Sequence, residues 1–234
     1  MRGGEALHER GSFQRGILGG WFRWRETGEP VALTAAHLLT PRSLRAGGGA
    51  VPPGRWGQGT AAPGTPVLAG PGVELVHLDS GRPFARVVAE GNRKSSGVGG
   101  SRDACLAIPL PGVQVSPAHL ALDFVPPPGR AVVGHPVALL TGTGLRGAGV
   151  VIDVAWASGW YGSPHDILIA PSGSEDFSRP GDSGALVLDT RDGVVVGLHV
   201  GSLPDRRAGD GRPAPVACAH HLEEVMHLFG LEPL

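Results

Sequence analysis

Residues 179–188 read RPGDSGALVL, with Ser183 held between an aspartate and a glycine at the entrance to an apolar run. Gly, Pro, Asp and Ser are the residues that turns select, for their backbone preferences and short side-chain hydrogen bonds. Ser183 is therefore either a turn residue or a nucleophile, and four residues alone leave both readings open. A serine hydroxyl is a weak nucleophile. It needs a histidine to take its proton and an acid to orient that histidine and stabilise its cation. The rest of the chain must supply both, on a scaffold that brings them together.

The best-placed base is His37, in VALTAAHLLT, after a strand-like run and two alanines small enough to let neighbouring structure approach closely. His77, His119, His135 and His165 have no such setting. Asp103, in SRDACLAIPL, opens an apolar strand after a Gly/Ser/Arg loop, which sets a carboxylate at the edge between solvent and core. Asp79 sits in a turn, Asp153 interrupts VVIDVAW, and Asp123 precedes a run of prolines. They rank below Asp103, although composition alone does not choose among them.

With 234 residues the chain can bury a sizeable core, as one domain or as two small barrels sharing an interface. Gly (39) and Pro (22) exceed a quarter of the residues, yet 41% of the chain is hydrophobic and arrives in short blocks, the pattern of strands divided by turns. The formal net charge is -1, from 20 basic and 21 acidic residues that are scattered rather than massed. Neither a nucleic acid nor a membrane surface is expected as a partner. The start MRGGEALHERGSFQRG lacks the roughly seven consecutive apolar residues of a secretory core, and no stretch approaches the ~18 needed to span a bilayer. A soluble, cytoplasmic protein is expected. Cys105 and Cys218 are the only cysteines and are expected to be reduced. Cys218, His220 and His221 form a C-x-H-H cluster without the spaced partners of a metal site, so no metal and no cofactor is expected.

Strand-like runs appear at 17–25, 31–36, 73–78, 84–88 and 104–110, and a second set at 131–140, 148–156, 166–170, 184–189 and 194–200. Between the sets lies LDFVPPPGR, whose prolines cannot donate ladder hydrogen bonds and favour an extended connection. The region 46–72 has the composition of a long surface loop and is a candidate flap. In PVACAHHLEEVMHLFG, Leu222, Val225, Met226 and Phe229 recur at helical spacing, with Pro215 near the start and Gly230 past the last apolar residue. One amphipathic helix is expected there, packed on the second half. The organisation read from these signals is a leader over 1–11, a first barrel over 12–122, a second over 123–212, and a helix and tail over 213–234.

Taken together, LTAAH, RDACLAIPL and RPGDSGALV resemble the trypsin-like serine peptidases of the chymotrypsin fold, in their cysteine-poor bacterial form. The order His37, Asp103, Ser183 is the order that family uses. LTGTGLRGAGVV resembles the start of its second barrel, and VVVGLHVGS the strand after its nucleophile. The resemblance implies an all-β chain of two antiparallel six-stranded Greek-key barrels with the active site between them, plus a C-terminal α-helix. It implies a triad of His37, Asp103 and Ser183, and an oxyanion hole made by the backbone N–H groups of Gly181 and Ser183.

RGILGG, residues 15–20, resembles the activation site of secreted zymogens. Only 20 residues separate Ile17 from His37, about half of what the family uses, so ILGGW reads as a barrel strand. Asp182 then lacks its usual partner, and a buried carboxylate without a counter-charge is costly. Either an arginine serves, or the loop stays unformed until something binds, which would call for a regulatory protein partner. Six positions before Ser183, where trypsin-like relatives carry an acidic residue, stands Phe177, with Asp176 beside it. His199 falls where glutamate-specific bacterial and viral 3C-type peptidases place a histidine, with Ser178, Gly201 and Ser202 around the same pocket. The expected function is a serine endopeptidase that acts on a polypeptide through an acyl-enzyme and prefers Glu or Gln before the scissile bond. The alternative is a catalytically silent or conditionally active peptide-binding module of the same fold.

Overall fold

The computed structural model describes residues 1–39, 66–68, 73–91, 102–156, 166–203 and 215–234. The first half carries β1 (Ala6–Glu9), β2 (Arg15–Ile17), β3 (Gly20–Trp24), β4 (Pro30–Thr34), a 3-10 turn (Ala36–Leu38), β5 (Pro66–Leu68), β6 (Glu74–His77), β7 (Pro83–Gly91) and β8 (Cys105–Pro109). The second carries β9 (Pro136–Thr141), β10 (Gly144–Trp156), β11 (Asp166–Pro171), β12 (Leu186–Asp189), β13 (Val194–Leu203), β14 (Val216–His221), the helix α1 (Leu222–Phe229) and β15 (Leu231–Pro233).

Strands β10, β11, β14, β13, β12 and β9 close into a six-stranded barrel. Among the described residues the eight strands of the first half, joined by β15 from the C-terminal end, form a nine-stranded sheet in the order β15-β3-β4-β8-β7-β6-β1-β2, with β5 on β7, rather than a closed six-stranded barrel. All pairings between these strands are antiparallel.

Period-two alternation, with both faces covered, explains why β9, β12 and β13 of the second barrel are buried on both faces. Leu139, Val187 and Val196 fill the barrel interior. Their neighbours Leu140, Leu186, Leu188 and Val195 point outward into a second core, shared with Phe22, Leu33 and Leu106 of the first sheet and with Leu222, Val225 and Phe229 of α1. That shared core fixes one half against the other.

Three expected boundaries change. The segment assigned as a leader contains β1, which pairs with both β2 and β6. The run 131–140 becomes a strand only from Pro136, because the His135 N–H closes a turn on the Val132 carbonyl while Gly134 donates across to Val151 of β10. The helix begins at Leu222 rather than near Pro215. Residues 216–221 are taken by β14, which closes the barrel between β11 and β13, and pairing on both edges outweighs any local helical preference. The helix itself buries the predicted Leu222, Val225, Met226 and Phe229 and stops at Gly230 in the left-handed region. Apart from Pro66–Leu68, the 46–72 loop lies outside the described residues. No helix among the described residues is long and apolar enough to cross a membrane.

Candidate active site

His37 sits in the short 3-10 turn that follows β4, flanked by Ala35 and Ala36, both fully buried. Asp103 lies two residues before β8, which pairs with β4, so the sheet register sets acid beside base. The carboxylate holds His37 twice. Oδ1 accepts the His37 backbone N–H at 2.7 Å, and Oδ2 lies 2.7 Å from Nδ1. With the Nδ1 proton donated to Asp103, the lone pair of the neutral ring is on Nε2, the tautomer a general base needs. Asp103 is almost wholly buried, while about a third of the His37 side chain (30%) is exposed.

Ser183 reaches this corner through Gly184. A Cβ at Gly184 would lie 2.3 Å from Thr34 Oγ1 and 3.2 Å from the Ala35 nitrogen, and its φ of +93° is one that side chains resist. Only glycine allows the loop to pack against the end of β4 so closely. The Ser183 carbonyl accepts the Ile17 N–H at 2.8 Å, which ties the loop to β2. Among the described residues the Ser183 hydroxyl has no hydrogen-bond partner, a common state in the absence of substrate. The Asp182 and Gly184 N–H groups are bound to the carbonyls of Arg179 and His199. Those of Gly181 and Ser183 have no acceptor among the described residues, which leaves two alternate donors available for an oxyanion.

Arg146, on β10, forms an ion pair with the buried carboxylate of Asp182, whose other oxygen accepts the Arg179 N–H at 2.7 Å. An arginine therefore serves, as one of the two readings of the sequence had it. RGI of the zymogen-like segment is β2, and the Ile17 nitrogen is a strand amide rather than a free terminus.

No protein-family model matches the sequence, and no curated protein matches it. Solved structures do. Protease A of Thermobifida fusca aligns with a TM-score of 0.59 at 15% identity, over 99% of this chain and 96% of that one. A glutamic acid specific serine protease, described as using a novel histidine triad in substrate binding, aligns with a TM-score of 0.61 at 17% identity, over 100% of each chain. Alpha-lytic protease homolog N4 aligns with a TM-score of 0.57 at 16% identity, over 99% of this chain and 97% of that one. The chain has the chymotrypsin fold.

Within the chymotrypsin fold, the pocket residues expected from the sequence divide. Ser178 and Ser202 come together, with their hydroxyls 2.7 Å apart. A register shift between His199 and Gly201 bends β13 just before Ser202. His199 is 2% exposed, and its Nδ1 is buried with no hydrogen-bond partner. Burial, together with the nearby His37 and Arg146, pushes its pKa down to about 3, against an opposing hydrogen bond with the Cys218 backbone. The imidazole is therefore neutral at physiological pH and offers no positive charge to a carboxylate. Phe177 is as deep as His199. It is 1% exposed in the interior of the second barrel, where a Cβ on Gly149 would meet its ring at 2.6 Å.

A cavity of about 360 Å³ is lined by Gly181, Asp182, Arg146, Ile17 and Thr141–Thr143, with Glu5, His77 and Asp79 among its other walls. None of Ser178, His199 or Ser202 lines it.

The C-x-H-H cluster is split by strand alternation. Cys218 and His220 face Asp166, while the His221 Nε2 bonds the Val154 carbonyl at 2.8 Å. Both cysteines are buried and neither is in a disulfide, and burial pushes the Cys218 thiol up. Asp166 and His220 were not read from the sequence as part of the site. Their only signal is a polar residue at the edge of an apolar strand, as in HDILIA and VACAHH.

Proposed function

We propose that this chain is a serine endopeptidase. The observation that carries the proposal is the doubly bonded His37–Asp103 pair beneath a nucleophile loop that leaves the Gly181 and Ser183 amides without acceptors. Ser183 Oγ attacks the scissile carbonyl carbon as its proton passes to His37 Nε2. Asp103 stabilises the imidazolium, and the two amides bind the oxyanion, each donor contributing roughly 3 to 4 kcal/mol to transition-state stabilisation. Collapse of the intermediate expels the amine, which takes the proton from His37. Water then repeats the sequence on the acyl-enzyme and frees Ser183.

The counter-charge from Arg146 supports a loop formed without a regulatory protein, and the strand pairing of Arg15–Ile17 supports activity without cleavage after Arg15. A histidine that takes part in substrate binding has a precedent in the glutamate-specific neighbour. In this chain the neutral His199 offers an unused acceptor nitrogen rather than a charge, and the Ser178–Ser202 pair adds hydroxyls. A carboxamide, which both donates and accepts, suits that set better than a carboxylate. The substrate is thus a polypeptide, cut after Gln in preference to Glu.

Treatment of the unprocessed chain with a fluorophosphonate, followed by a peptide library, tests the proposal. One adduct on Ser183 and cleavage after Gln are expected. No adduct would favour the catalytically silent peptide-binding module, and cleavage after Arg or Phe would refute the pocket reading alone.

A further inference from the structure

His220 and Asp166 lie directly opposite each other in the β11–β14 pair, both with no solvent exposure. His220 Nδ1 is 2.7 Å from Asp166 Oδ1. Its other nitrogen, Nε2, is 2.7 Å from the backbone nitrogen of Asp103, which lies in the other half of the molecule. An amide N–H can only donate, so Nε2 carries the lone pair and the ring proton sits on Nδ1, donated to Asp166. One tautomer satisfies both contacts, and both ring nitrogens of the buried imidazole are paired. The Asp103 residue held this way is the one whose two oxygens hold His37.

We infer that His220 is a positioning residue for the acid of the site, fixing Asp103 against His37 across the junction of the two halves, with Asp166 holding the imidazole in the required tautomer. The inference rests on the serine-protease reading only for its kinetic consequences. Neither residue touches substrate. Their effect is geometric, since a base misplaced by a fraction of an ångström loses the alignment on which proton transfer depends.

His220→Leu removes both hydrogen bonds, and His220→Gln keeps an acceptor for the Asp103 amide and a donor for Asp166. For a peptide substrate, His220→Leu is expected to lower kcat by about 10- to 100-fold with KM nearly unchanged, as for loss of alignment, and His220→Gln to recover most of it. Independently of turnover, ¹⁵N NMR of the full chain should show His220 Nε2 unprotonated and coupled through the hydrogen bond to the Asp103 amide. The low-field His37 Nδ1 proton should broaden or move in His220→Leu and persist in His220→Gln. A protonated Nε2 in the unsubstituted protein, or a folded His220→Leu with unchanged kcat, would overturn the inference. If the unsubstituted chain cleaves nothing, the protease reading fails and the NMR result alone decides the positioning role. If His220→Leu does not fold, the coupling in the unsubstituted chain decides it.

Discussion

Two histidines on neighbouring strands of the second barrel, His199 on β13 and His220 on β14, are equally deep and differently completed. His220 uses both ring nitrogens, one toward Asp166 and one toward the Asp103 amide. His199 has a partner in the Cys218 backbone, while its Nδ1 has none. Burial alone therefore does not tell what a histidine does; the completeness of its hydrogen bonding does. A fully paired imidazole is part of the scaffold, and the half-paired one is the histidine on which the proposed specificity rests.

The largest effect should come from breaking the completed region. Asp166→Leu leaves the Nδ1–H of His220 buried without an acceptor, at a cost of about 3 kcal/mol, the upper part of the range for such a group. Urea unfolding should show that loss, and a change under about 1 kcal/mol would mean that the pair contributes little beyond its packing.

The incomplete region should respond in specificity. His199→Leu keeps bulk and removes the acceptor, so kcat/KM for a Gln substrate should fall by about 100-fold or more, while an alanine in the same position of the substrate is affected far less. Equal losses for both substrates would place His199 outside the pocket.

The last contrast is in pH dependence. The folded pKa of His199, about 3, lies below the ordinary 6.5, so the unfolded chain binds the extra proton. Its contribution to stability is fully present above about pH 6.5 and is lost as pH falls toward 3, by about 1.4 kcal/mol per pH unit. Buried His119, pushed down to about 4, adds a slope of the same sign. Comparing unfolding of the unsubstituted chain and His199→Leu between pH 7 and 4 isolates the His199 part. Parallel curves would mean that His199 is protonated in the folded state.

These contrasts also separate what was legible in the sequence from what was not. The settings of His37 and Asp103 could be read because strand-end placement leaves a local trace: small residues before one and an apolar run after the other. The buried face of α1 was legible for the same reason, since its periodicity is local. Residues 216–221 were not, because their strand state depends on edges offered by β11 and β13, which lie outside the segment itself. The same holds for Arg146 on Asp182 and for His220 with Asp166, where partners 36 and 54 positions apart meet only through barrel register. Phe177 shows the converse: counting from Ser183 gave its place along the chain, but not that its large apolar ring is packed inside the barrel.

Pre-steady-state acylation measures the chemistry of Ser183 most directly. An activated ester mixed with the unprocessed chain should give a burst of about one leaving group per chain, followed by slower turnover, the kinetic mark of an acyl-enzyme. Acid quenching should find the acyl group on the peptide that contains Ser183, with Ser183→Ala giving no burst and His37→Ala a burst slowed by several orders of magnitude. Release without a burst, or a burst that survives Ser183→Ala, would contradict nucleophilic catalysis by Ser183.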